Sequence, residues 1–427
     1  MIRTTSARYQ NYFWYKHLFI FGLIFLVSSL FFNSPYEIFL GYKRILTSHG
    51  LLLSDYMAIG NVGATLFNAG ILTLMGLGIL YFSKTYITGV VIAGVINLAA
   101  FAMLGKNPYN ILAPIIGVYI YSLYMKESFY MYAPISLFAT GVAPVVSYMT
   151  FYSGFPILQG AILGNLSGFV TGFIIAAVSV NAKNLHRGYC LYNIGFSLGM
   201  TSSVMYSVYN LFGVEVVSEN ALYREFNLKL IVFIGLFCIV LILLKLIYDR
   251  NNLAEFKDML KETGQSPAEF PDKYSNYTIL FNMGIVGLIG LIYLVLIKAN
   301  VNGVTLGGVF TMVAFGAFGL HPKNALPILT GVFIAGTLGI YDVNAESIAI
   351  AALFGTSLAP VAGDYGFFAG IVTAFIHLGL VTKIGFLHGG MNLYNNGFSS
   401  GIIAAVVVPF FESIRLNNLK RAHKHNK

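Results

Sequence analysis

The chain has 427 residues, of which 57% are hydrophobic and 10% charged, against roughly a quarter charged in ordinary soluble domains. That excludes a water-soluble fold for most of its length, and no stretch is polar enough to form a separate soluble domain. The formal charge of +9 does not point to nucleic acid. The basic residues gather at the ends, in Arg3, Arg8 and Lys16 and again in Arg415, Lys420, Arg421, Lys424 and Lys427, as positive-inside flanks do.

In chain order, the first apolar run (17–33) follows a basic stretch but has no small-residue cleavage site before Pro35-Tyr36, so it reads as a membrane helix. Spans of about 17–25 residues are then predicted at 61–82, 86–104, 108–125, 130–150, 157–181, 190–213, 229–248, 277–297, 301–319, 324–340, 346–363, 367–386 and 390–411. With the first run, that makes about fourteen crossings or their equivalents. A cytoplasmic N-terminus places Lys126, Lys183, His186 and Arg187 inside and the acidic 215–225 stretch outside. The polar loop 249–277 and the basic C-terminus then fall inside as well, whereas Lys106, Lys298 and Lys383 count against this orientation. The loop is expected to hold a short helix and a turn near Pro267 and Pro271. Cys190 and Cys238 lie in apolar segments without metal-type spacing, so neither a disulfide framework nor a metal site is expected.

An internal repeat organises the chain. Phe67-Asn68-Ala69-Gly70-Ile71 aligns without gaps on Phe281-Asn282-Met283-Gly284-Ile285, a displacement of 281 − 67 = 214. The same shift pairs Gly89 with Gly303, Phe101 with Phe315, Pro108 with Pro322, Asn110 with Asn324 and Gly117 with Gly331. Further on, Leu191-Tyr192-Asn193-Ile194-Gly195-Phe196 matches Leu393-Tyr394-Asn395-Asn396-Gly397-Phe398 at 393 − 191 = 202. About seven crossings, an odd number, separate equivalent points, so the halves are expected to face opposite ways. The predicted fold is an all-α polytopic membrane protein of two inverted-topology repeats with broken or re-entrant Pro-containing segments. Its divisions are 1–58 (tail, first helix and an extracellular segment), 59–213 (first repeat), 214–276 (connector helix and loop), 277–415 (second repeat) and 416–427 (basic tail).

Three paired motifs carry the candidate chemistry. Asn107-Pro108-Tyr109-Asn110 is answered by His321-Pro322-Lys323-Asn324. Proline frees a backbone carbonyl, which in lipid is tolerated only against protein or a water-filled cavity. The alternative is a proline that simply starts a helix. Gly188-x-x-Leu191-Tyr192-Asn193 and Gly390-x-x-Leu393-Tyr394-Asn395, the latter followed by Asn396, place one Tyr and one Asn per half in apolar surroundings, as a polar ring for a hydrogen-bonding solute or as interhelical staples. Thr140 and Thr356, before Pro144 and Pro360, offer hydroxyls to a pathway or to their own helix backbone. The halves also differ. Asp364, His377 and His388 are candidates for proton or cation coupling, with His186 the one ionisable counterpart, to His388. The deflationary account puts Asp364 in a loop and makes His377 a packing histidine. No nucleophile, Walker, HExxH or paired-carboxylate pattern stands in a supporting context, so neither an enzyme nor a cofactor is expected.

At the paired Asn-Pro-x-Asn and Gly-x-x-Leu-Tyr-Asn-x-Gly-Phe-x-x-Gly elements the chain resembles urea transporters. In that family each of two inverted halves carries an Asn-Pro segment before a Gly-Tyr-Asn or Gly-Phe-Asn element. The resemblance implies one threonine-lined pore per protomer, passage of a small neutral amide, and a homo-oligomer of three copies. Asn107-Pro108 and Tyr192-Asn193 match in the first half, and Pro322 and Tyr394-Asn395 in the second. His321 replaces the second asparagine, the elements stand farther apart, and extra helices are needed. The chain also looks like a group of prokaryotic multi-pass proteins catalogued as a domain of unknown function, which implies no activity. The resulting expectation is a channel or facilitator in the plasma (inner) membrane with both termini cytoplasmic, a lipid bilayer and a small solute as its partners, and no nucleic acid. A proton- or cation-coupled transporter and a membrane enzyme or assembly partner are the alternatives.

Overall fold

A computed structural model describes residues 2–214, 216, 221–249 and 253–425. Glu215 and Lys427, and the side chains of Arg3 and Lys424, lie outside what it describes. The helices in order are α1 (Ile2–Phe32), α2 (Pro35–Leu46), α3 (Tyr56–Ile59), α4 (Val62–Phe82), α5 (Gly89–Phe101), α6 (Leu112–Tyr124), α7 (Ala133–Ala139), α8 (Ala143–Phe151), α9 (Ile157–His186) and α10 (Asn193–Leu211). They continue as α11 (Leu228–Tyr248), α12 (Leu253–Met259), α13 (Asn276–Leu296), α14 (Gly303–Phe315), α15 (Pro322–Leu338), α16 (Glu346–Gly355), α17 (Ala359–Tyr365), α18 (Phe367–Ile384) and α19 (Asn395–His425). The protein is all-α and polytopic, with nine helical stretches among the described residues long and apolar enough to cross a membrane. The lipid-facing stretches fall within a few residues of expectation, as at α4, α11 and α13, because a side chain exposed to lipid must be apolar. The polar loop holds α12 and a 3-10 turn at Phe270–Asp272, also as expected.

Three spans come out short. The predicted spans 86–104, 108–125 and 301–319 are 13-residue helices, α5, α6 and α14. At 1.5 Å per residue, 13 residues reach only about 20 Å against a hydrocarbon core of about 30 Å. For α5 and α14 this is tolerable because all of α14 and all of α5 except Val90 are buried. Their ends therefore meet protein rather than lipid. Besides the membrane helix α1, the first 58 residues hold the shorter α2 and the start of α3. Ser34, Pro35 and Glu37 form a capping box that starts α2.

The α-helices pair in a repeated pattern. The first helix, α1, lies along α4 as α11 lies along α13, α6 lies along α9 as α15 lies along α18, and α5 meets α14 as α10 meets α19. The α7/α8 segment is broken at Thr140–Val142, and α16/α17 at Thr356–Leu358, each just before Pro144 or Pro360. The breaks thus sit at the Gly-x-x-Pro and Ser-x-x-Pro pair. At the other proline pair, Pro108 lies in the turn before α6 and Pro322 is the first residue of α15, capped by His321.

Side-chain hydrogen bonds repeat to the residue. Asn68 donates to the carbonyls of Ala102 (2.7 Å) and Lys106 (2.8 Å), and Asn282, 214 positions later, to those of Gly316 (2.7 Å) and Leu320 (2.8 Å). Each amide closes the C-terminal end of a central helix, α5 or α14. At their N-termini these helices are closed by the opposite half. The carboxylate of Asp55 accepts from Gly303 N–H (3.2 Å) at the start of α14, and Glu269, at 269 − 55 = 214, accepts from Gly89 N–H at the start of α5. A Cβ on Gly89 would strike the Ala317 carbonyl, and one on Gly303 that of Met103 (2.7 Å), so α5 and α14 run antiparallel, each starting where the other ends.

Candidate functional site

Where α5 and α14 cross the first turns of α10 and α19 lies a cavity of about 130 Å³. Engineered cavities of about 150 Å³ hold a benzene-sized molecule. Its polar wall comes from Asn97, Thr311, Tyr192, Tyr394, Asn193, Asn396 and Ser266, and its apolar wall from Phe101, Phe138, Phe315, Phe318 and Phe354 with Leu191 and Leu393. The backbone is extended or turning just before α10 and α19, which puts the tyrosines on the seam, and Gly195 and Gly397 meet there almost in contact.

A directed chain of hydrogen bonds crosses this seam. Lys106 Nζ donates to the Tyr394 hydroxyl (2.6 Å), Tyr394 to Asn97 Oδ1 (2.8 Å), Asn97 Nδ2 to Thr311 Oγ1 (3.3 Å), and Thr311 to the Gly307 carbonyl (2.7 Å). Asn97 and Thr311 are themselves equivalent, at 311 − 97 = 214. The Tyr394 ring stands edge-on to Phe101 (4.7 Å between centroids), and its counterpart Tyr192 leans on Phe315 (4.4 Å). The Tyr192 hydroxyl faces Thr356 too loosely for a hydrogen bond and is buried without a partner.

Lys106 is fully buried, with its ammonium 4.8 Å from the centroid of the Tyr394 ring and 5.2 Å from that of Phe101. No carboxylate among the described residues forms an ion pair with it. Its repeat counterpart is Leu320. In the sequence Gly105-Lys106-Asn107-Pro108 it reads as a loop lysine and so as a clue to orientation. The signal available was the comparison at displacement 214, which sets a cation opposite a leucine.

The other candidate residues divide between wall and scaffold. Asn107 Oδ1 accepts from Tyr109 and Asn110 N–H, and its Nδ2 donates to the Ile45 carbonyl (3.2 Å). Asn110 accepts from Asn107 N–H and donates to Gly105 O and Ser147 Oγ. His321 and Asn324 repeat the turn, with His321 Nε2 bonded to the Glu262 carbonyl (2.9 Å). The polar groups of both Pro motifs are therefore spent on their own turns and on neighbouring segments, at Ile45, Ser147 and Glu262. Thr140 and Thr356 bond the carbonyls of Leu137 and Leu353 in their own helices.

The two asparagines of the Leu-Tyr-Asn elements do not meet as a ring. Asn193 is held by His186 (2.9 Å) and donates to Ser179 O (2.8 Å), and Asn395 is held by His388 (2.9 Å) and donates to Val381 O (3.1 Å). Each is an interhelical staple within its own half, and the tyrosines beside them occupy the seam. His377 bonds Asn396 (3.3 Å) and Ser399 (3.1 Å), so it braces a residue of the cavity wall. Asp364 instead bonds Tyr189 and pairs with Arg415 (3.3 Å), at 21% side-chain exposure. Asp364, His377 and His388 thus belong to three separate networks, and no group of three metal-ligating side chains occurs among the described residues.

No curated protein and no solved structure matches the chain. A family model does, over residues 34–211 and 248–413. The two stretches begin 248 − 34 = 214 and end 413 − 211 = 202 residues apart, the two displacements of the internal repeat. Together they take in most of the helices and every residue of the cavity wall, and the chain belongs to this family, described as proteins of unknown function (DUF1576).

Proposed function

We propose that this membrane protein passes a small polar solute through the seam between two inverted halves, with the cavity on that seam as its binding point. The observation that carries the reading is the hydrogen-bond chain Tyr394, Asn97 and Thr311, which draws on both halves and borders a cavity of solute size. Inversion is supported by the antiparallel packing of α5 and α14, which are equivalent under the repeat. Solute sites near the midplane, where inverted repeats meet, are usual for transporters. The repeat unit in this reading starts earlier than 59 and 277, because Asp55 and Glu269 correspond and α1 and α11 take equivalent places.

In this reading both termini lie in the cytoplasm. Gln10 bonds Pro271 O (2.6 Å), Trp14 bonds Asn276 (2.9 Å), Gln265 bonds Arg187 O (2.7 Å), and Arg415 pairs with Asp364. These contacts gather the start of α1, the 253–275 loop with its three lysines and the outer part of α19 at one end, and Lys and Arg favour the cytoplasmic side. An inner-membrane location and assembly into a homo-oligomer belong to the same reading, and no catalytic role is proposed. Coupling through Asp364, His377 and His388 has less to rest on, since the three do not converge.

Flux into proteoliposomes from a panel of small neutral and charged solutes tests the reading. At least one solute is expected to cross with wild-type protein and to slow tenfold or more with Asn97→Leu. Absence of protein-dependent flux for the whole panel refutes it and favours an assembly partner or an enzyme.

A further inference from the structure

We infer that the solute is a small organic monocarboxylate, for which Lys106 is the countercharge. This rests on the reading of the cavity as the solute site and adds the chemistry of the solute.

An ammonium carries three donors, and Lys106 gives one to Tyr394. The other two have no protein acceptor among the described residues, and aromatic rings cover the rest. A charged group taken out of water is stable only when paired or otherwise compensated, and ring faces compensate an ammonium only in part. Lys106 does not itself line the cavity but stands behind Tyr394, which does, and the described wall contains no acidic side chain, so a negative charge bound against the Tyr394 hydroxyl is the compensation that the cavity leaves room for.

The direction of the hydrogen bonds agrees. Lys106 polarises the Tyr394 hydroxyl, whose proton points at Asn97 Oδ1, and across the seam the Tyr192 hydroxyl is unengaged. An incoming carboxylate replaces the Asn97 carbonyl as acceptor of the Tyr394 proton, beside the ammonium that holds the same hydroxyl. A neutral amide would satisfy the hydroxyls but leave the ammonium bare. A dianion would need a second cation, and Leu320 stands where the repeat would have supplied it. The phenylalanine wall suits a hydrocarbon body, and the volume limits that body to a few carbons.

The test is uptake of labelled propionate and of propionamide by proteoliposomes holding the full-length chain, with calorimetric binding of each to the detergent-solubilised protein. Propionate is expected to bind and cross, propionamide and chloride to compete poorly, and Lys106→Met to weaken propionate binding and flux tenfold or more. Lys420→Gln, exposed at the end of α19, is expected to leave both unchanged. Because loss of a buried lysine can compromise folding, Tyr394→Phe serves as a second variant, expected to lower propionate affinity while the protein elutes as a single species. Propionamide crossing where propionate does not, or propionate handled equally by wild type and Lys106→Met, overturns the inference while leaving the pathway standing. Failure of every solute to bind or cross overturns the pathway itself.

Discussion

Removing the Asp55 carboxylate tests whether the halves are locked by exchanged helix caps. Asp55 Oδ1 accepts from Met57 N–H (2.9 Å) and Gly303 N–H (3.2 Å), and Oδ2 accepts from Tyr223 N–H (2.9 Å), with the side chain fully buried. Loss of one cap costs about 0.5–2 kcal/mol, and a buried donor left bare about 1–3 kcal/mol. Asp55→Ala strips three donors, some of which water or small shifts will satisfy, so about 2–4 kcal/mol is expected. Asp55→Asn keeps an oxygen for Met57 and Gly303 but turns an amide toward the Tyr223 N–H, and should cost about 1 kcal/mol. Cys190 and Cys238 are both buried free thiols, so a thiol-reactive dye reports unfolding on heating in detergent. The expected order of melting is wild type, then Asp55→Asn, then Asp55→Ala. Equal melting of wild type and Asp55→Ala refutes the cap. The pH dependence is a second readout. Burial pushes the carboxyls of Asp55 and Glu269 up to about 7, outweighing the N–H groups that favour the anion. Unfolded carboxyls titrate at about 4, so between there and about 7 the folded chain holds more protons. Stability should therefore fall as pH rises through that window, and less steeply with Asp55→Asn or Glu269→Gln.

Other expectations follow from the paired contacts. Asn68→Leu and Asn282→Leu each leave two carbonyls at the end of a central helix without their donor, so each should lower stability by about 1–3 kcal/mol, to a similar extent, in the same thermal assay. A Cβ on Gly199 would overlap the Phe398 ring, and one on Gly401 the Phe196 ring. Gly199→Ala and Gly401→Ala should each force α10 and α19 apart and cost about 1–3 kcal/mol, with crosslinking between the two helices reduced.

Much of the helix pattern was legible in the sequence because lipid imposes a uniform rule on exposed side chains, and α4, α11 and α13 obey it over most of their length. The rule fails at α5 and α14 for a physical reason. Inside a shell of other helices the apolar run continues past the helix end, through Ala102-Met103-Leu104, because protein surrounds the irregular backbone too. The duplicated motifs were readable as words but not by role. Asn193 and Asn395 read equally as a polar ring or as interhelical staples, and the structure has them as staples, because His186 and His388, seven residues back, bond their oxygens. Asp55 and Glu269 were missed because the repeat pairs an aspartate with a glutamate rather than identical residues, and only the fold brings each to the other half. Lys106 was visible throughout and misread, because a lysine beside Asn-Pro suggests water.

The division between sameness and difference in the repeat locates the chemistry and can be tried by exchanging it. Helix-end caps and staples are duplicated, as at Asn68 with Asn282 and Asn193 with Asn395, whereas Asn97 faces Thr311, Lys106 corresponds to Leu320, and Ile175 to His377. Scaffold contacts gain from being copied, but a solute on the seam would meet every copied group twice, so a single positive charge requires that the copies diverge there. Moving the charge to the other half, as Lys106→Leu with Leu320→Lys, should bring the new ammonium toward Tyr192, whose buried hydroxyl has no partner. Lys106→Leu alone is expected to lose propionate uptake by tenfold or more, and the double variant to regain a measurable part of it. If the double variant folds, as judged by single-species elution and an unchanged melting profile, yet takes up no more propionate than Lys106→Leu, then the two sides of the seam are not interchangeable and Lys106 acts through something other than its charge.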